Sequence, residues 1–186
     1  MPEKSSECRE SACSEQDAPD DASRRNFILQ QGFGDPDPEL CPKRYAALVF
    51  QPRVVAGVLL VGLVLQSPVL FLALGVVLWW SALFPRLNPF DAFYNRTFGS
   101  APGHVKLDPA PGPRRFAQTL AGCFCVAIAV ALFTSHWIAA YVLETLFAAA
   151  VAALSFGRFC LGSFLYHLLG GRKDFALRTL PWSRKR

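Results

Sequence analysis

The 186-residue sequence has almost no charge where it is most apolar. Residues 54–65, 68–84, 116–135 and 137–156 contain a single formal charge, Glu144. A helix with one face in water carries charged and polar residues on that face. Their lack excludes a solvated surface for these runs and points to lipid, since a bilayer-spanning helix takes roughly 20 predominantly apolar residues. The six cysteines include no CxxC pair and no zinc-ligand spacing, which removes the two commonest chemical readings of a cysteine-bearing chain. Cys123 and Cys125, two positions apart, point roughly 200° from one another on a helix and read as packing residues. Missing also is a basic start leading into an apolar stretch within the first 41 residues. No signal peptide is read there, and the first spanning helix is expected to direct its own insertion.

What is present is 52% apolar residues and a positive mean hydropathy, high for a soluble domain of this size. The net charge of +5 conceals an asymmetry: residues 1–41 carry ten acids against four cations, and residues 172–186 six cations against one acid. Residues 1–41 are read as an acidic disordered head, too poor in apolar side chains before Phe27 to bury a core. Residues 42–169 are read as a four-helix membrane domain, and 170–186 as a basic juxtamembrane tail. Cations interleaved with Phe175 and Trp182 suit anionic lipid headgroups. Nucleic acid is not the expected partner, because the tail follows directly on a membrane helix.

Charge also sets the number of spans. Seven Lys or Arg precede the first apolar run, five lie between residues 85 and 115, and seven follow from Arg158 onward. The breaks at 66–68 and 134–137 hold none. Cytoplasmic loops concentrate Lys and Arg, so the three basic segments should share one side. That requires an even number of spans: an all-α fold of four transmembrane helices in two hairpins, both termini cytoplasmic. The first helix is expected to start near Ala46, with Gln51 as the alternative start. The halves also resemble one another. PKRYA at 42–46 recurs as PRRFA at 113–117, and FPR at 84–86 as FGR at 156–158. A duplicated two-helix unit in parallel orientation is the simplest account, and it sets Asn88 opposite Cys160.

Between the halves, NPFDAFYNRTFG (88–99) predicts a short interfacial helix. Asn88 caps it, Pro89 takes the first helical position, and Asp91 favours the positive end of the dipole. Phe90, Phe93, Tyr94 and Phe98 share one face. Asn95, Arg96 and Thr97 match a glycosylation acceptor, but a membrane-proximal cytoplasmic loop makes the match a false one. Four prolines and three glycines in 99–113 predict an irregular connector.

Among candidate functional residues Glu144 stands first, seven positions beyond Trp137 and so roughly 10 Å into a helix. An ionisable group at that depth is a functional hypothesis by default, here proton or cation movement, with Tyr141 and Arg53 as the polar groups to share a pocket with it. The competing reading is a packing Glu near the outer interface. The stretch FGRFCLGSFLYHLL (156–169) adds Arg158, Cys160 and His167. Cys160 and His167 share a helix face but stand about 10 Å apart on a straight helix, which excludes direct activation of the thiol. No cofactor and no metal is implied.

GPRRFAQ (112–118), PRLNPFDAFYNR (85–96) and FCLGSFLYH (159–167), set in this four-span pattern, resemble an uncharacterised bacterial membrane family, domain of unknown function 4395. The resemblance covers roughly residues 41–169 and implies location and fold more than activity. Many members carry a second cysteine three residues after the position of Cys160, which implies membrane thiol chemistry. Here that position is Ser163, so no such dithiol forms. The expected protein is a bacterial cytoplasmic-membrane module with a structural, binding or accessory role and no catalysis of its own. Its expected partners are lipid and a second copy or another membrane protein. The alternatives are a small proton or solute transporter using Glu144, and a thiol-redox protein around Cys160.

Overall fold

The computed structural model describes residues 20–99 and 104–183. The acidic head up to residue 19, residues 100–103 of the connector and the last three residues of the basic tail lie outside the described residues. The described residues are all-helical, without strands. Helix α1 runs through residues 20–30, followed by α2 (Cys41–Leu65), α3 (Pro68–Leu83), a 3₁₀ turn (Pro85–Leu87), α4 (Pro89–Thr97), α5 (Gly112–Phe133), α6 (Trp137–Ser155), α7 (Leu161–Leu169) and α8 (Lys173–Arg178).

Local chemistry sets the helix ends. Gln66 takes a left-handed conformation, Ser67 Oγ accepts from the Leu70 amide, and Pro68 fills the first position of α3. This ends one helix and caps the next within two residues. The break between α5 and α6 likewise turns on a left-handed residue, Ser135. Asn88 caps α4 as expected, its side-chain oxygen accepting from the Phe90 amide. The expected start of α2 near Ala46 is corrected: the helix reaches back to Cys41 and continues through Pro52. Its early turns are held by packing, because Ala47, Leu48 and Val49 are buried against Phe27 and Ile28.

That contact also corrects the head over residues 20–33. This stretch belongs to the packed body, since Phe27 and Ile28 are fully buried and Phe33 nearly so, outweighing the acidic composition around them. The main core lies between α2, α3, α5 and α6, built from Leu59, Phe71, Leu78, Ile128 and Phe147 among others. Helix α3 makes its broadest contact with α5. Gly75 and Gly122 face each other there, small residues that let two helix backbones approach.

Helices α2, α5 and α6 are long and apolar enough to cross a membrane, and α3, with 16 residues, is apolar but shorter. Val64 and Ile138 each keep more than four-fifths of their surface open, which suits lipid rather than water. The repeat extends to the short helices: α4 and α7 are both nine residues long, start 72 positions apart, and are capped by Asn88 and Cys160 in the same extended conformation.

Candidate functional site

Where α2, α4 and the first turns of α5 meet, five polar side chains form a buried cluster. The α5 register sets Arg114 and Gln118 on one face, four residues apart. Arg114 Nη2 donates to Asp91 Oδ1 at 2.7 Å and to Gln51 Oε1 at 2.8 Å. Gln118 Nε2 donates to the same Gln51 oxygen at 3.0 Å, and Asn88 Nδ2 donates to Asp91 Oδ2 at 2.8 Å. The Arg114 and Asp91 side chains are only 5% and 8% exposed, so water barely screens the pair. Burial pushes the Asp91 carboxyl above its ordinary value, against the pull of Arg114 and Asn88.

Two atoms are left over. Arg114 Nη1 and Gln118 Oε1 are buried without a hydrogen-bond partner, and both residues line a cavity of about 80 Å³ together with Gln51, Val55, Phe147 and Cys160. A buried polar group without a partner costs about 1–3 kcal/mol. Two residues that line one cavity thus each carry an unpaired polar atom, one a donor and one an acceptor.

Cys160 reaches the cavity from the repeat-related position. It caps α7, is 3% exposed, and its amide donates to Gln30 Oε1 at 3.0 Å. The Gln30 backbone oxygen accepts from His167 Nε2 at 3.1 Å. A residue of α1 thus clamps both ends of α7, which brings Cys160 and His167 into one network without direct contact. Burial pushes His167 below its ordinary value; the hydrogen bond to Gln30 opposes this, and nearby Arg172 adds to it. His167 Nδ1 is buried without a partner, so a second proton would find no acceptor. The sign follows: this neutral histidine stabilises the clamp above pH about 6.5, the ordinary histidine value, and that contribution is lost as pH falls through its lowered value. Hydrogen exchange in residues 20–30 and 161–178 should therefore quicken on acidification below about pH 6.5, and His167→Gln should flatten the response. An unchanged pH profile in that variant would remove His167 as the cause.

The remaining sequence candidates lie elsewhere. Glu144 is buried, and its Oε2 accepts from Gln66 Nε2 at 3.2 Å while Oε1 has no partner. Tyr141 is half exposed on α6, in a shallow groove with Val142 and Thr145. Arg53 is exposed on α2, thirteen residues before Gln66 and so about 20 Å along the helix. It does not share a pocket with Glu144. Arg158, in a left-handed conformation, pairs with Asp20 and lies over the Tyr45 ring at 5.4 Å, tying α1 to the end of α6. Cys41, Cys123, Cys125 and Cys160 are free thiols.

Sequence reasoning missed Gln30, Gln51, Asp91 and Gln118 as site residues and counted Arg114 as a loop cation. A signal existed at Gln118, a side-chain amide four residues after Arg114 at the start of a largely apolar run. Apolar helices around one buried polar cluster define the class, an all-helical membrane protein of unknown activity. The chain belongs to the family described as domain of unknown function (DUF4395), whose model matches residues 46–170. The five cluster residues and Cys160 fall within the matched stretch, and Gln30 falls outside it. Among curated proteins and solved structures, none matches the chain.

Proposed function

We propose that the chain is a binding or accessory protein of the membrane that holds a small molecule against Arg114 and Gln118 and has no catalysis of its own. The observation that carries this reading is the unpaired Arg114 Nη1 and Gln118 Oε1 at a cavity. The ionic part of the cluster is self-compensated, since Arg114 faces Asp91. The cavity wall thus offers hydrogen bonds rather than net charge, which suits reversible binding.

The proposed setting is a bacterial cytoplasmic membrane, crossed four times in two hairpins with both termini cytoplasmic. The distribution of Lys and Arg supports it, as does the lipid-like surface of α3, where Val69, Val76 and Leu83 are at least half exposed. The 16 residues of α3 make about 24 Å of helix, and the following 3₁₀ turn lengthens its reach. The basic tail would meet anionic headgroups of the inner leaflet, and a second copy or another membrane protein would pack on the small residues of α5 and α6. A membrane-impermeant maleimide added outside intact cells should label a cysteine placed at Ser135 and not one placed at Ser183. The reverse pattern would overturn the orientation.

Native mass spectrometry tests the binding. Protein extracted from membranes should retain a non-covalent adduct after the detergent is stripped, and Gln118→Leu should lose it. Bare protein in both cases, or one adduct common to both, would refute the reading. A second reading, proton or solute movement through Glu144, is favoured by the partnerless Glu144 Oε1 in an apolar helix. It predicts a flux abolished by Glu144→Gln and untouched by Gln118→Leu. A thiol-redox role for Cys160 would instead require a partner thiol or acceptor brought to the cavity, because Ser163 stands where a second cysteine would be.

A further inference from the structure

The polar cavity does not end in protein on every side. Beside it, between α5, α6 and α7, runs an apolar cleft of about 200 Å³. The two share Ala117, Ala121, Phe147, Val151, Leu154 and Cys160 along their walls. The far end of the cleft is bordered by Leu146, and its near end by Leu161, both exposed on the lipid-like surface. From Leu146 to Leu154 the cleft follows about 12 Å of α6. The cleft therefore leads from the lipid-like surface, along an apolar wall, to the cavity that Arg114 and Gln118 line.

Resting on the binding role proposed above, we infer that the ligand is a single-chain amphiphile drawn from the membrane. Its hydrocarbon chain lies in the α5–α6–α7 cleft, and its small uncharged hydroxyl head lies in the cavity. The head is identified by what the wall lacks. Arg114 Nη1 needs an acceptor and Gln118 Oε1 needs a donor, and one hydroxyl supplies both. Charge argues the same way. Arg114 is already matched by Asp91, so an anionic head would leave the site with an excess negative charge in a poorly screened place. Size allows it: the cavity of about 80 Å³ has room for a hydroxyl head. The chain is identified by the cleft, whose walls are apolar from Leu120 and Phe124 to Leu146 and Ala150.

The test uses the full chain in lipid nanodiscs and a hexadecanol probe with a photoactivatable diazirine in its chain. After illumination, crosslinks should concentrate on the α5 and α6 walls of the cleft and fall at least tenfold with excess unlabelled hexadecanol. Gln118→Leu should weaken capture about tenfold, the loss of one good hydrogen bond at 1.4 kcal/mol per decade. Ala150→Trp should block the cleft and abolish capture. Should Ala150→Trp fail to fold, Leu146→Trp at the exposed rim plugs the entrance instead. Labelling spread evenly over the lipid-facing helices without competition would overturn the inference. So would folded cleft variants that keep the Gln118-dependent adduct seen by native mass spectrometry. In that second case the ligand enters from water and the binding role stands, whereas loss of any Gln118-dependent adduct removes the binding role itself.

Discussion

Asp91→Ala is expected to destabilise the protein by about 3–5 kcal/mol, the range for removing one partner of a buried ion pair. The cost comes from what is left behind. Arg114 keeps its charge at 5% side-chain exposure, and with Asp91 gone its Nη2 retains only the Gln51 oxygen. Asn88 Nδ2 also loses its acceptor, and the cap that starts α4 loosens with it. Asp91→Asn should cost clearly less, since an amide oxygen still accepts from Arg114 and the carboxylate no longer has to be desolvated. Denaturation of purified protein in mixed detergent and SDS micelles separates the two: the midpoint should fall far for alanine and modestly for asparagine. If the alanine variant matches the wild type, Arg114 is reached by water and the cluster is not the buried hub of the fold.

The second large effect is expected at a glycine. A Cβ on Gly162 would sit 2.7 Å from both the Cα and the Cβ of Ala117. The Cα is a backbone atom of α5 and cannot swing aside, so Gly162→Ala must push α7 off α5. Overpacking of this kind costs about 1–3 kcal/mol. The displacement should also carry Cys160 and Ser163 outward, breaking the hydrogen bond from Ser163 Oγ to the Pro113 oxygen. Gly57 is the control, because a Cβ there meets nothing within 4 Å. Gly57→Ala in the middle of α2 should be neutral or stabilising by about 0.5–1 kcal/mol through helix propensity. The same denaturation assay should thus lower the midpoint for Gly162→Ala and leave it unchanged or raised for Gly57→Ala. Equal midpoints would mean that α7 does not dock on α5 so closely.

These two sites show what a sequence can and cannot convey here. The helix breaks were legible because they are local: Gln66, Ser67 and Pro68 stop one helix and cap the next with their own atoms, and Asn88 with Pro89 starts α4. The resemblance of the halves was legible because basic flanks recur 71 and 72 positions apart, and the nine-residue helices α4 and α7 also start 72 positions apart. The polar cluster was not legible, since every bond in it except Asn88 to Asp91 joins residues more than twenty positions apart. Counting cations assigned Arg114 to a solvated loop, and capping logic assigned Asp91 to the dipole of its own helix. Each assignment is locally sound, and the approach of α4 to α5 overrides both by giving the two charges each other. Helix α1 was hidden for a similar reason. Its acidic composition predicts disorder, yet Phe27, Ile28 and Gln30 find partners on α2 and α7 that only the folded chain supplies. Glu144 was visible as a lone charge in an apolar run, but its partner Gln66 lies in a turn 78 positions away.

The arrangement also gives the site a division of labour. Asp91, Asn88 and Gln51 hold Arg114 in one orientation, and α7, clamped by Gln30, brings Cys160 to the opposite wall. The polar end is thus cross-linked by hydrogen bonds, while the apolar cleft beside it opens at its rim toward the lipid-like surface. In the proposed reading, such a site binds one end of a molecule through hydrogen bonds and leaves the rest in apolar surroundings.

The measurement that bears most directly on this account is an experimental density map of the full chain, detailed enough to orient the Gln118 amide. Non-protein density within hydrogen-bond reach of both Arg114 Nη1 and Gln118 Oε1, continuing into the α5–α6–α7 cleft, is the predicted result. A cavity holding water alone, or a Gln118 side chain turned so that its oxygen accepts from Arg114 Nη1, would contradict it. The leftover donor and acceptor would then have found other partners, and the cluster would serve only to hold α4 against α5.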